Sequence, residues 1–450
     1  MFRSVQTFLS TFRNLSEEGY ERLLTKPISF FGKQGAKTRQ MFLKLPPASA
    51  ATIYPGILWV IPGSMVGPYL SLYMVRSGLS QTEVGVYQSL ALLIGLMGLF
   101  LGGYLSDVWG RKKSLVFFDA LTWGGYCLCL ALATNKWWCV AAIGFLGANQ
   151  ASGPAYQCLL IEGAGAKARP HIYTVLQIAN IAPILFFFPL LGGFWVEKRG
   201  LIQANHEMYW FFTLMTALGI GLRWKFLPHS GAFEESPRNW IHAFRDALRQ
   251  YRTVFVKFFK KRIAAPFLFS KFLDEWMIAM WGIYWTLYFV DRLGLKESSV
   301  SILVQAVVYI TFVILFLIMP HVPGRWIKPL LGVDQVFGFL SLAVILFWTH
   351  NDRNVFWICL FSNGLFAVSG VLYNSVSAAV WMSIMAEKER AKVVAVSTAL
   401  IVIGRVAAGS AGAVLYGQIS PLALIWTMLG LKALNFVILR WVSGALRTAK

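Results

Sequence analysis

LPPASAATIYPGILWVIPGSMVGPYLSLYMV, residues 45–75, runs from Lys44 to Arg76 without one charged side chain. A bilayer's hydrocarbon core is about 30 Å thick and takes about 20 apolar helical residues to cross. This stretch is long enough, and runs of the same kind recur along the chain. Of the 450 residues, 57% are hydrophobic and only 14% charged, where a soluble protein carries roughly a quarter charged. Mean hydropathy is +0.59. A large soluble helical core cannot absorb so many apolar runs, so much of the surface must face lipid.

The apolar runs place spans at approximately 49–75, 85–105, 114–134, 137–162, 172–196, 209–228, 264–290, 300–320, 329–350, 355–385, 393–417 and 421–442. The expected fold is an all-α membrane protein of twelve transmembrane helices. Lys and Arg near the helix ends set orientation. With the N-terminus in the cytoplasm, 31 of the 41 basic residues lie inside, 7 outside and 3 within spans. Both termini are therefore expected in the cytoplasm. No compact apolar run precedes a small-residue cleavage site in residues 1–48, which argues against a cleaved signal peptide.

The net charge of +21 would suggest nucleic acid in a soluble protein. Here the positive charge is sorted to one membrane face, so anionic lipid headgroups suffice and no nucleic acid is expected. Between Arg238 and Arg262, Trp240, Phe244, Leu248, Tyr251, Phe255 and Phe258 recur at helical spacing, with Arg245, Arg249, Arg252, Lys260 and Lys261 on other faces. That pattern reads as an interfacial basic helix in a linker, 229–263. It separates two bundles, 49–228 and 264–442, flanked by a basic segment 1–48 and a tail 443–450. The cysteines (Cys127, Cys129, Cys139, Cys158, Cys359) lack metal-ligand spacing and read as packing residues. No metal or cofactor is expected.

The two bundles repeat each other. Leu72-Tyr73-Met74-Val75 precedes Gly78-Leu79, and Leu287-Tyr288-Phe289-Val290 precedes Gly294-Leu295. Tyr73 and Tyr288, Lys113 and Lys328, and Asp119 and Asp334 share one offset, 215. A parallel repeat of two six-helix bundles is a transporter design, with substrate held between the halves near the midplane. A pore or receptor has no need of it.

The most specific motif is Gly103-Tyr104-Leu105-Ser106-Asp107-Val108-Trp109-Gly110-Arg111-Lys112-Lys113, between the second and third spans. It resembles the signature of the major facilitator superfamily, and the resemblance covers roughly residues 50–442. It implies a pseudo-symmetric twelve-helix transporter in which Gly103, Asp107, Gly110, Arg111 and Lys112 form a cytoplasmic latch between the halves. Gly110 allows the tight turn, and Asp107 is placed to pair with Arg111 or face a helix N-terminus. The rival reading is that the basic residues only set topology. The second half keeps Gly324-Arg325 and Lys328, a degenerate copy. Pro189-Leu190-Leu191-Gly192-Gly193 resembles the end of the family's antiporter motif, with Phe188 where a glycine is usual; Pro189, Gly192 and Gly193 equally suit close helix packing.

Ionisable groups inside a membrane cost roughly 2.5–3.5 kcal/mol each on insertion scales when unpaired. Lys271, Asp274 and Glu275 share one helical face by spacing, and Arg405 and Lys432 lie mid-span in the eleventh and twelfth helices. They read either as a neutralised packing cluster or as a site that binds an ionic group or exchanges a proton. The family's neighbouring seventh and eleventh helices imply that Asp274 or Glu275 contacts Arg405, while Lys271 competes for the same carboxylates. Asp119 and Asp334, nearer the basic loops, read as structural. The family's cavity-lining helices carry Asn149, Gln150, Gln157, Trp281, Tyr284, Trp285, Asn363 and Asn374, and Pro55, Pro62, Gly63, Gly67 and Pro68 break the first span into a bending gate.

The expected function is secondary active transport of a small organic solute by alternating access, proton-coupled, with a lean to efflux by antiport. The alternative is a proton-coupled importer of a nutrient or siderophore-like metabolite; another class is a non-transporting membrane sensor or scaffold. No GxxxxGK[ST] loop supports an ATP-driven pump, and no HExxH or GxSxG supports a membrane enzyme. A monomer in the cell membrane is expected.

Overall fold

Ser80 explains where the second helix starts. Its hydroxyl accepts the Glu83 N–H at 3.1 Å, while the Glu83 carboxylate accepts the Ser80 N–H at 2.7 Å. This reciprocal cap satisfies two of the donors that a helix start leaves unpaired. The helix therefore begins at Gln81, before the apolar run at 85–105. The structure is a computed structural model and describes residues 45–164, 169–228, 263–318, 330–348, 354–377, 380 and 390–448. The basic segment before residue 45, the linker helix at 238–262 and the loop with Gly324-Arg325 and Lys328 lie outside the described residues.

Each expected span overlaps a helical tract among the described residues, numbered in chain order, although the sixth starts eight residues earlier than expected, at Leu201. The tracts are α1 (Pro47–Arg76), α2 (Gln81–Trp109), α3 (Arg111–Ala131), α4 (136–161), α5 (169–199) and α6 (Leu201–Phe226). They are followed by α7 (264–292), α8 (299–318), α9 (Val333–Trp348), α10 (355–377), α11 (390–419) and α12 (Pro421–Thr448). The described residues contain no strand. Among them, seven stretches are long and apolar enough to cross a membrane: α1, α2, α3, His171–Arg199, Val355–Val376, Leu400–Ile419 and Pro421–Ala445. Large apolar side chains such as Met97, Trp357 and Phe347 are exposed, as they must be where lipid is the solvent.

The first span is broken less than its sequence suggests: Pro55, Pro62 and Gly63 lie inside a continuous helix, Pro47–Val66, and the break falls at Gly67 and Pro68. Pro68 lies in a 3-10 turn, Gly67–Tyr69, that interrupts α1. Another 3-10 turn, Asn149–Ser152, interrupts α4. In α5, Phe187 adopts φ 67°, the left-handed region. Pro189 has no N–H to return to Leu185, and the break leaves the Ile184 carbonyl without its helical donor as well. Tyr309 OH of α8 donates to the Leu185 carbonyl at 3.3 Å, and Gln305 Nε2 to the Ile184 carbonyl at 3.1 Å.

The repeat is visible in the backbone. Gly78 and Gly294, at φ 102° and 70°, both take positive-φ turns after the first helix of each half. Leu79 and Leu295 are buried after them. Arg76 and Asp291 share the offset of 215 and pair across the halves at 2.7 Å.

Candidate functional site

Asp274 and Glu275 are consecutive on α7, and successive helical residues point about 100° apart. That turn sends them to different neighbours. Glu275 faces α11, where Oε2 accepts Arg405 Nε at 2.9 Å and a second contact from the same guanidinium. This pair is part-exposed, with the Arg405 side chain 36% accessible. Asp274 turns instead into the packed junction of α7, α9 and α12. Oδ1 accepts Lys432 Nζ at 3.0 Å, Oδ2 accepts Asn435 Nδ2 at 2.9 Å, and Gln335 Nε2 lies 3.0 and 2.9 Å from the two oxygens. The single acidic face read from spacing is thus two separate sites. Lys271 Nζ lies 5.6 Å from the Tyr373 ring centroid.

Gln335 also contacts the Asp334 carboxylate. The second carboxylate near Asp274 is therefore Asp334, reached through an amide, and not Glu275. Lys432 reaches this junction because α9 has glycine at 338; a Cβ there would lie 2.7 Å from Lys432 Cε. The junction is closed: Asp274, Asp334, Gln335, Lys432 and Asn435 are all buried.

In the first half, the residue equivalent to Asp334 has its own cation. Asp119 of α3 pairs with Arg223 of α6. Arg223 also donates to the Thr52 carbonyl at 3.1 Å and lies over the Trp59 ring at 4.5 Å. One guanidinium thus ties α1, α3 and α6 together, which accords with a structural reading of Asp119.

The halves meet at the end of the bundle that carries Gly78. Besides Arg76 and Asp291, Lys296 Nζ pairs with Glu197 Oε1 at 3.1 Å, and Tyr284 OH donates to the Gln81 carbonyl at 3.3 Å. Gly85 of α2 allows that approach, since a Cβ on it would overlap Tyr284 Oη. Among the described residues, hydrogen bonds and ion pairs join 45–228 to 263–448 at this end and, where α8 meets Ile184 and Leu185 of α5, as far as the middle of those helices. The motif at the opposite end contacts its own half: Arg111 lies 3.7 Å from Glu162, and Lys112 Nζ donates to the Leu227 carbonyl at 2.7 Å.

Known proteins share this architecture. The sequence model of the Major Facilitator Superfamily matches residues 57–369. The chain belongs to the Major Facilitator Superfamily. It is an integral membrane protein of that family. It is similar to the uncharacterized MFS-type transporter YqjV of Bacillus subtilis (strain 168), at 30% identity over 152 residues. That match spans 32% of this chain and 36% of the relative's length. The fold is similar to that of the nucleoside transporter NupG, with TM-score 0.66 and 15% identity over 87% of this chain and 99% of that one. A D-xylose-proton symporter has TM-score 0.62 and 16% identity over 87% and 96%. At these identities the likeness shows the fold alone.

As a superfamily signature, the α2–α3 turn is built as its residues require. Gly110 has φ 85° and joins α2 to α3, a conformation that strains any side chain with a Cβ. Gly103 packs beside Pro154, and Asp107 is exposed. Lys112 is buried as a cap on the carbonyl end of α6, where a cation also suits the helix dipole. Pro189 of α5 is buried with Gly192 and Gly193. A Cβ on Gly192 would lie 2.7 Å from the Met65 carbonyl, and one on Gly193 would overlap Ser301 Oγ. Both glycines therefore serve close packing, of α5 against α1 and α8.

The expected cavity wall divides. Gln150, Gln157 and Asn374 are exposed, and Asn149 is half-buried, accepting Thr122 Oγ1 at 3.2 Å. Trp285 is half-buried against Phe289. Trp281 and Tyr284 belong to the hydrophobic core, and Tyr284 stacks on Tyr416 at 4.6 Å. Asn363 is buried and donates to the Cys359 carbonyl of its own helix at 2.9 Å. These three are packing residues in this structure. Sequence reasoning missed Gln335, in the first turn of α9, and Asn435, in the middle of α12, whose only signal was an uncharged amide in a membrane span.

Proposed function

We propose that the chain is a secondary active transporter that moves a small organic solute by alternating access, coupled to protons through the Glu275–Arg405 pair, with efflux by antiport as its direction. One observation carries the reading. Among the described residues the hydrogen bonds and ion pairs between the halves run from the Gly78 end to mid-helix, while a part-exposed ion pair lies partway along α7 and α11. A joint at one end is what alternating access needs, because the same two bundles can close at the other end instead. Taking the Gly78 end as the outer face, from the basic asymmetry of the loops, would put both termini in the cytoplasm.

The exposed amides Gln150, Gln157 and Asn374 support a wet space between the halves, since an amide facing hydrocarbon pays for its unmade hydrogen bonds. Protonating Glu275 removes the charge that holds Arg405, so the pair opens and the cavity's charge changes by one unit. A proton and an ionic group of the solute then alternate at this site as the halves rock. The lean to antiport rests on the Pro189-to-Gly193 sequence alone. The latch residues Asp107 and Gly110 would set the balance between the two states.

The test is flux in proteoliposomes across a panel of organic cations, anions and neutral metabolites, with and without an imposed pH gradient. The gradient should drive at least one solute, in the direction opposite to the protons for antiport. Glu275→Gln should lose the gradient-driven accumulation yet keep downhill exchange. Flux indifferent to the gradient across the panel would sink proton coupling, and co-directional movement would replace antiport by symport.

A further inference from the structure

The buried junction of α7, α9 and α12 carries two carboxylates and one ammonium. Asp274 and Asp334 are 2% and 3% exposed, and Lys432 is 6%. Lys432 pairs with Asp274; among the described residues no cation lies within ion-pair distance of Asp334. The first half shows the contrast, because Asp119 has Arg223 to itself. With both acids ionised, the junction would hold an uncompensated negative charge in a closed, apolar surround, a cost of several kcal/mol.

The donors are unevenly shared: the Asp274 oxygens receive Lys432 and Asn435 as well as Gln335, whereas Asp334 Oδ2 receives Gln335. Gln335 Nε2 has two N–H groups but lies against three carboxylate oxygens, two of Asp274 and one of Asp334. Meanwhile Gln335 Oε1 and Asn435 Oδ1 are buried without a hydrogen-bond partner, on side chains that are wholly buried. An added proton cancels one of the two negative charges and leaves Lys432 to match the other. The Gln335 N–H groups, which face both acids, then serve whichever carboxylate stays ionised.

We infer that Asp334 and Asp274 share a single proton in this junction, bridged by Gln335, forming a proton-binding site separate from the Glu275–Arg405 pair. The binding step adds a proton to one carboxylate and breaks no covalent bond. The groups that face the site are few. Lys432 comes from α12, where Arg440 lies further along beside Gly332. On α7, Asp274 belongs to the site, with Lys271 and Glu275 flanking it. From α10, Ser369 approaches beside Gly338, and Tyr373 lies under Lys271. Arg405 of α11 is held by Glu275. Only the site's part in transport rests on the function proposed above; its protonation does not.

The experiment is an infrared pH titration of the full chain in lipid nanodiscs, with hydrogen–deuterium exchange. Wild type should show a carboxylic acid C=O band at neutral pH that shifts in D2O. The band should vanish in Asp334→Asn, move in frequency in Asp334→Glu, and persist in Glu275→Gln. Absence of the band in wild type, or its survival in both Asp334→Asn and Asp274→Asn, overturns the inference. Loss of the band when sodium replaces potassium at fixed pH also overturns it, in favour of a sodium site. Where Asp334→Asn fails to give a monodisperse protein, the frequency shift in Asp334→Glu decides. None of these readings needs flux, so a failed transport assay and a failed proton site remain separate results.

Discussion

Asp119 and Glu275 are both paired acids inside the membrane, yet burial makes them different objects. The Asp119–Arg223 pair is almost wholly enclosed, at 3% and 6% side-chain exposure. Removing one partner of such a pair strands the other's charge, at about 3–5 kcal/mol. Asp119→Asn should therefore lower the thermal unfolding midpoint in detergent sharply, and Asp119→Leu with Arg223→Met should recover most of it. A single variant as stable as wild type would show that the pair does not hold the first bundle together. Residues of this kind were the legible part of the site. Asp274, Glu275, Arg405 and Lys432 stand out because a charge in an apolar run is expensive, and the contact with Arg405 that the family's neighbouring seventh and eleventh helices implied for Asp274 or Glu275 is made by Glu275. What stayed hidden is rotation. Which neighbour each of two consecutive acids faces depends on how α7 is turned, and periodicity does not record that angle. Gln335 and Asn435 carry no charge, so nothing distinguished them from other amides in the spans. Trp281 and Tyr284 show the reverse ambiguity, since a large aromatic suits a cavity wall and a core equally well; in this structure both are buried.

At the scale of elements, Pro and Gly marked the breaks only in part, since Pro55, Pro62 and Gly63 lie inside a continuous helix, and the partners of the freed groups were not readable. Pro68 and Pro189 mark where α1 and α5 lose a donor; that α8 would supply Gln305 and Tyr309 to the freed carbonyls of α5 is a property of the assembled pair. Those two bonds join the halves as well as repairing the break. Gln305→Leu with Tyr309→Phe leaves two carbonyls unsatisfied, a cost of about 1–3 kcal/mol for each one that stays buried. The expected result is looser closure at the Gly78 end, read as faster labelling of a cysteine placed at Ser301. Gly85→Val should act in the same direction by a different cause, because its side chain would overlap Tyr284 and Ala413. Unchanged labelling in both variants would mean that neither α5–α8 nor α2–α11 contact holds that end shut.

For the whole molecule, the basic loops and the 215 offset between halves make the two-bundle plan legible in the residues themselves. The orientation they imply has a direct check. Cysteines placed near Lys257 and Lys388 should resist an impermeant reagent applied to cells, and one near Lys198 should react. The opposite pattern would invert the assignment of the Gly78 end to the outer face. The repeat also has a consequence at the point where its two copies touch. Near a two-fold axis, a position meets its own counterpart, and Arg76 meets Asp291 for that reason. Two identical subunits placed this way would set arginine against arginine or aspartate against aspartate. Attraction there demands that the copies differ, and a lone gene product paired with itself has no means to differ. The contact is thus a feature open to copies that mutate on their own, as the two halves of a fused tandem do: a clasp whose hook and eye sit at the same place in each half.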